Sequence, residues 1–263
     1  MAGDPRTPHV KSRPGAPEGF FGCEAAGLRW LGAAESAGGA RVVEVLSAGA
    51  DRLELARVTP APSTRAAAAE FGARLAATHD VGAAAFGCAP DGWAGDGFFG
   101  PLDDPRPMSL TPHPTFGAFW AHERLLPALA ELGDVYGREE RAVFDRLVDR
   151  LLAGEFDDDD PPARVHGDLW GGNLMWDAEG AVLIDPAAHG GHREEDLAML
   201  ALFRTDHFDA ILDGYLAAHP LPGGRRGVER RRGVHQLYGV LMHAVLFGGG
   251  YAGQALRLAA AHV

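Results

Sequence analysis

The chain has 263 residues and a net charge of −12, from 24 Lys and Arg against 36 Asp and Glu. That length can bury one large domain or the two lobes of one enzyme, and the acidic balance argues against a nucleic-acid binder held by phosphate contacts. With only Cys23 and Cys88, no apolar core in MAGDPRTPHVKSRPG, and no window near the roughly 18 apolar residues of a membrane span, the reading is a soluble, cytoplasmic, non-membrane protein, expected as a monomer.

Residues 1–19 are rich in Pro, Gly and charge, with one short strand expected at 9–12. A helical pattern runs from about 19 to 35, where Phe20, Glu24, Leu28 and Leu31 recur three or four residues apart and Gly38-Gly39 ends the run. RVVEVLSAGADRLELARV reads as two short strands around an Ala-Gly-Ala-Asp turn. Pro60 and Pro62 break the chain, and a helix is expected from a Ser63 cap to His79. These elements give a small sheet-bearing lobe over 1–60 and a mostly helical remainder over 61–263.

In the remainder, 86–115 carries many Gly, Pro and Asp and is expected to hold little regular structure, as functional loops often do. Helices are expected at 116–130 and 137–153. EFDDDDPP reads as a solvated acidic turn, because adjacent aspartates repel and a calcium loop needs spaced ligands. Helices at 193–218 and 227–245 complete the pattern, with PLPGGRRG between them.

The chemistry concentrates in VHGDLWGGNLMWDAEGAVLID, which sets Asp168, Asn173 and Asp185 at the spacing of kinase catalytic and metal-binding loops. Asp168 can accept or orient the acceptor hydroxyl proton. Asn173 offers a carbonyl oxygen and Asp185, delivered by the apolar AVLI run, a charged one, both suited to Mg2+. His166 reads as a brace for this loop. Lys11 on the first strand suits ATP phosphates and needs a carboxylate partner. Glu24 is the better choice, since it interrupts the apolar FFGCEAAGL, whereas Glu18 lies outside the helix beside Pro17. GHREEDLAML crowds His192, Arg193, Glu194 and Asp196 before a helix. Asp196 can fix the catalytic loop, and Arg193 or Glu194 can reach substrate. His235 and His243 share a helix face without a zinc pattern and read as core or pocket histidines.

HGDLWGGNLMW, LIDPAAHGGHREEDLAML and HQLYGVLMHAVLFGGGY together resemble the fructosamine kinase (ketosamine-3-kinase) family, within the aminoglycoside-phosphotransferase-like kinases. The resemblance extends from about Lys11 to Tyr251, and FGCAPDGWAGDGFFG with FGAFWAHERLLPAL resembles the family's substrate-side loop and helix. It implies an α+β, protein-kinase-like two-lobed fold. It also implies ATP and magnesium as cofactors, Asp168 as base, Asn173 and Asp185 as metal ligands, and Lys11 with Glu24 as the nucleotide clamp. His166, Trp170, His192, Arg193, Glu194 and Asp196 fall in substrate or supporting places. The implied reaction moves the ATP γ-phosphate to the 3-hydroxyl of ribulosamine, erythrulosamine or fructosamine adducts on amines or proteins. The phosphorylated adduct then breaks down and frees the amine.

Two departures accompany the resemblance. The family carries a two-strand hairpin with a Gly-rich turn ahead of the lysine, and MAGDPRTPH is too short to form it. Either translation begins upstream or nucleotide is bound without that lid, and the 263-residue form is then expected to bind ATP weakly and turn over slowly. In LELARV, Ala56 stands where a glutamate is frequent at the hinge. Two alternatives stay open: phosphorylation of an aminoglycoside or another small alcohol, and a nucleotide-binding pseudokinase.

Overall fold

The computed structural model describes residues 7–203 and 205–263. Strand β1 (His9–Ser12) leads to helix α1 (Phe20–Gly32), followed by a 3-10 turn at Ala33–Ala37. The expected single helix thus tightens after Gly32 and stops at Gly38, whose φ of 86° satisfies the helix end as a left-handed cap. The strand pair appears as β3 (Val45–Ala48) and β4 (Arg52–Leu55), and β4 lies between β1 and β3 in an antiparallel sheet. Lys11 stands opposite Leu53 in that register.

One segment departs from the hairpin reading. Arg41–Val42 forms a separate strand, β2, paired in parallel with β9 (Gly180–Leu183) of the large lobe. The Val43 N–H continues the ladder to the Leu183 carbonyl at 3.0 Å. Val182 of β9 in turn joins Phe21, Leu28, Val43 and Leu53 in the small-lobe core. A strand of two residues is too short for an alternating pattern to reveal this swap.

Helix α2 (Arg65–Asp80) is capped by Thr64, not Ser63: its Oγ1 accepts from the Ala67 N–H at 3.1 Å. The 86–115 loop holds a small hairpin, β5 (Gly97–Phe99) with β6 (Arg106–Met108), too short for a periodicity signal. Next come α3 (Phe116–Phe119), a π-helical turn at Trp120–Leu125, α4 (Leu126–Glu131) and α5 (Arg138–Leu152), close to expectation. Strand β7 (Ala163–Val165) pairs with β10 (His189–Gly191), and β8 (Leu174–Asp177) with β9.

The expected helix at 193–218 is two helices, α6 (Glu194–Leu202) and α7 (Phe208–Ala218). Phe203 leaves helical geometry and His207 adopts φ 58°, a left-handed conformation that starts α7 in a new direction. Helices α8 (Gly224–Phe247) and α9 (Tyr251–Ala260) close the large lobe, and α9 carries no counterpart in the sequence reading.

The acidic turn is also corrected. Asp157 accepts from the Gly117 N–H at 2.7 Å, Asp158 meets His192 at 3.4 Å, and Asp160 accepts from Arg193 Nε at 2.5 Å. Three of its four aspartates therefore anchor the large lobe. Their mutual repulsion is offset by partners that come from distant parts of the chain.

Helices α2 and α7 meet through paired glycines. A Cβ on Gly72 would lie 1.9 Å from the Ile211 carbonyl oxygen, and one on Gly214 1.9 Å from that of Ala69. Alanine would favour either helix by about 1 kcal/mol intrinsically. We expect Gly72→Ala nonetheless to destabilise the protein by about 1–3 kcal/mol, because backbone must move to admit the methyl. Urea unfolding checks this; a stabilised variant would refute the close approach.

Candidate active site

The candidate site lies where the two lobes meet, around the connection from β7 to β9. Gly167 follows β7 with φ 81°, and a Cβ there would stand 2.3 Å from the Ala187 carbonyl oxygen, so glycine alone allows the turn that presents Asp168. A 3-10 turn at Gly171–Asn173 then brings Asn173 back onto Asp168. Its Nδ2 donates to the Asp168 carbonyl (2.8 Å) and carboxylate (3.0 Å), and to the Asp185 carbonyl at 3.4 Å. With the amide nitrogen so engaged, the Asn173 Oδ1 is the atom left for a cation.

Asp185 sits just past β9 with φ 54°, rare for a residue other than glycine and common at functional positions. Its carboxylate lies 3.2 Å from Lys11 Nζ. The same ammonium donates to both Glu24 oxygens, at 2.7 and 2.8 Å. Burial works against the Lys11 charge, but Glu24 and Asp185 outweigh it and raise its pKa. The ammonium therefore stays charged, as a phosphate ligand must.

Asp168 is tuned in the other direction. Burial raises its carboxyl to about 7 despite the Asn173 hydrogen bond, and the charges of Asp185 and Asp196 add to the rise. A carboxylate with that affinity for protons suits a general base.

Asp196 lies behind this loop, fully buried at the start of α6. It accepts from the backbone N–H groups of His166 (2.8 Å) and Gly167 (3.0 Å) and from His79 Nε2 at 3.1 Å. Burial opposes its charge, yet the His79 hydrogen bond and the neighbouring imidazoles hold its pKa below the usual carboxylate range. His166 is a brace too, donating from Nε2 to the Ile184 carbonyl at 2.8 Å.

The other motif residues separate from the cleft. Arg193, read with Glu194 as one of two residues able to reach substrate, is buried and spans Asp160 and Asp80, the latter at 2.8 Å. Glu194 is buried and paired with Arg231. His192 stacks on His235, 4.6 Å between centroids. All three lie outside the cleft lining because their neighbours consume their hydrogen-bonding capacity. Trp170, by contrast, lines the cleft and is 39% exposed.

The cleft encloses about 370 Å³, enough for a small molecule. Beyond Lys11, Glu24, Asp168, Asn173 and Asp185, its lining includes Phe98–Leu102 together with His243, Leu246 and Phe247. That Phe20, Cys23, Leu246 and Phe247 line the cleft escaped the sequence reading, since an apolar side chain in a helical pattern reads as core. Among the described residues no three or more His, Cys, Asp or Glu side chains cluster as a metal cage. The two-oxygen set of Asn173 and Asp185 fits Mg2+, which takes few protein ligands and completes its shell with water and phosphate. No helix among the described residues is long and apolar enough to cross a membrane.

A family model described as fructosamine kinase matches residues 4–262. The probable ketoamine kinase YniA of Escherichia coli K12 is 33% identical over 220 residues, 79% of this chain and 69% of that protein. Four further bacterial matches of this kind are covered over 54–69% of their length. A crystal structure from Thermobifida fusca YX-ER1, of a protein provisionally named a fructosamine-3-kinase, superposes with a TM-score of 0.84 at 41% identity. It covers 96% of this chain and 84% of that one. A gentamicin complex of the aminoglycoside phosphotransferase APH(2")-IIa shares the fold at a TM-score of 0.62 and 13% identity, over 97% of this chain and 86% of that one. The match runs through both lobes and nearly every described element, and on it the chain belongs to the fructosamine kinase family, ATP-dependent kinases of the aminoglycoside-phosphotransferase-like fold.

Proposed function

We propose that the protein transfers the ATP γ-phosphate to the 3-hydroxyl of a ketosamine, with Asp168 as the base. One observation carries the reading: a carboxylate raised to about 7 sits on the cleft floor, within one polar cluster that also holds Asn173, Asp185, Lys11 and Glu24. Asp168 takes the acceptor proton as the hydroxyl oxygen attacks. Asn173 keeps the Asp168 carboxylate aimed by its hydrogen bond. Lys11, locked by Glu24, meets the phosphate oxygens of the nucleotide. Asn173 Oδ1 and Asp185 would hold Mg2+, which when bound neutralises charge on the transferring phosphoryl group.

The ketoamine kinase names of the bacterial relatives support this acceptor class. Phosphate at C3 sits beside the ketone carbon, so the enaminol expels it to leave an imine, water hydrolyses the C=N bond to free the amine, and the activity reads as deglycation. The aminoglycoside alternative comes from the shared fold, and such a polycation would want a dense acidic cleft that the acidic turn could supply only by facing it. That turn lies outside the cleft lining, and Asp157, Asp158 and Asp160 are engaged elsewhere. Phosphate transfer to ribulosamine-modified lysine and to an aminoglycoside, measured side by side, tests the choice. We expect transfer to the first; turnover of the antibiotic alone would overturn it.

The raised Asp168 pKa makes a linked prediction. The folded protein binds a proton at this carboxyl that the unfolded chain has released above about pH 4. Its contribution to stability is therefore fully present at low pH and is lost as pH rises through about 7. Asp168→Asn keeps the shape without the charge. Phosphotransfer should fall by about 10²–10⁴. The melting temperature at pH 8 should rise by about 2 °C or more over wild type, with the gap narrowing as pH falls from about 7 and closing only near pH 4. Near-normal turnover would remove Asp168 as base, and a pH-independent gap would refute its tuning.

A further inference from the structure

The loop between Cys88 and Asp104 touches both lobes. Its strand β5 has only three residues, yet their side chains alternate between two cores, as a pleated strand requires. Phe98 meets Phe20 of α1 edge-on at 5.3 Å, in the small-lobe core. Phe99 meets Tyr238 of α8 at 5.3 Å, in the large-lobe core. Residues 98–102 meanwhile form one wall of the cleft.

Upstream in the same loop, Trp93 lies across the start of α1. Gly19 has φ 80°, and a Cβ there would stand 2.8 Å from the Trp93 ring; one on Gly22 would stand 3.1 Å from it. The indole is held from behind by its Nε1 donating to the Asp96 carbonyl at 3.1 Å. Two more ties complete the strap. Arg13 Nη1 donates to the Leu102 carbonyl at 2.7 Å, and Gly97 lies against Cys23, with its Cβ position 3.6 Å from Sγ. Cys23 is the residue before Glu24. The first turn of the glutamate helix is thus met from the large-lobe side by the same loop that supplies the cleft wall.

We propose that Trp93 is a positioning residue, and that the strap it anchors couples the acceptor side of the cleft to the Lys11–Glu24 pair. An acceptor that presses against Phe98–Leu102 orders the strap, the strap fixes α1, and α1 holds Glu24 where Lys11 meets nucleotide. By linkage, nucleotide must then favour acceptor by the same factor. The coupling deepens the proposed ketosamine kinase reading and rests on it for the identity of the acceptor.

Two measurements test it. In the first, the affinity of a non-hydrolysable ATP analogue with Mg2+ is measured with and without ribulosamine-modified lysine. Acceptor should tighten nucleotide by about fivefold or more in the wild type and by less than about twofold in Trp93→Ala, while Trp93→Phe keeps most of the effect. A wild type without coupling to an acceptor it phosphorylates, or Trp93→Ala with full coupling, overturns the proposal.

The second needs no acceptor. In a Cys88→Ser background the Cys23 thiol is titrated with a disulfide reagent. Burial pushes this thiol up to about 11, so it should react slowly in the intact strap. It should react several-fold faster in Trp93→Ala and in Gly22→Ala. The second variant favours the helix itself while displacing the indole, so a gain there cannot come from a melted α1. Unchanged thiol rates in both would show that the strap does not hold the helix. If the wild type phosphorylates no ketosamine, the functional reading falls, and the thiol rates still decide the strap.

Discussion

A single buried carboxylate, Asp196, sets the geometry on which the cleft depends. An ionised group without solvent is tolerated only when its oxygens are fully engaged, and here three N–H donors converge on it. Two of them are the backbone of His166 and Gly167, so the carboxylate directs the turn that exposes Asp168. The third, His79, has its other ring nitrogen 2.8 Å from the Tyr215 hydroxyl, which in turn lies 3.4 Å from Arg193. With Asp196 ionised, His79 donates to it from Nε2, and the Tyr215 hydroxyl oxygen accepts from Arg193. The motif arginine is therefore far from idle: with Asp160 and Asp80 it closes the network that begins at the catalytic loop.

This organisation explains what could be read from the residues alone. Asp168, Asn173, Asp185, Lys11 and Glu24 stood out because phosphotransfer demands those side-chain types in a fixed order, and Glu24 broke an apolar run. Arg193 and Glu194 misled for the same reason in reverse. A buried salt bridge and a substrate contact use identical residues, and only the partners Asp80, Asp160 and Arg231, remote in sequence, tell them apart. The acidic turn belongs to this class: like charges in a row look solvated until their separate partners are known.

The remaining misses concern backbone. β2 leaves its expected hairpin because two residues suffice to pair with β9, and no periodicity exists in so short a segment. The break at Phe203 depends on His207 accepting a left-handed conformation, a cost met by the packing of α7 against α2 through their glycines. The loop carrying Phe98–Leu102 was legible as a functional, substrate-side loop, but its two-sided packing was not, since Phe98 and Leu102 serve the small-lobe core and Phe99 the large-lobe one.

The parallel pairing of β2 with β9 also bears on how the molecule is made. Val42 and Val43 emerge early in synthesis, whereas Leu183 and Val182, their partners, follow only after most of the large lobe. The small-lobe core therefore stays open on the ribosome until the catalytic loop has been translated, and its closure is a non-local step with a high loop-entropy cost. A nascent chain that has not yet reached β9 exposes Val43 and its apolar neighbours, a natural target for chaperones.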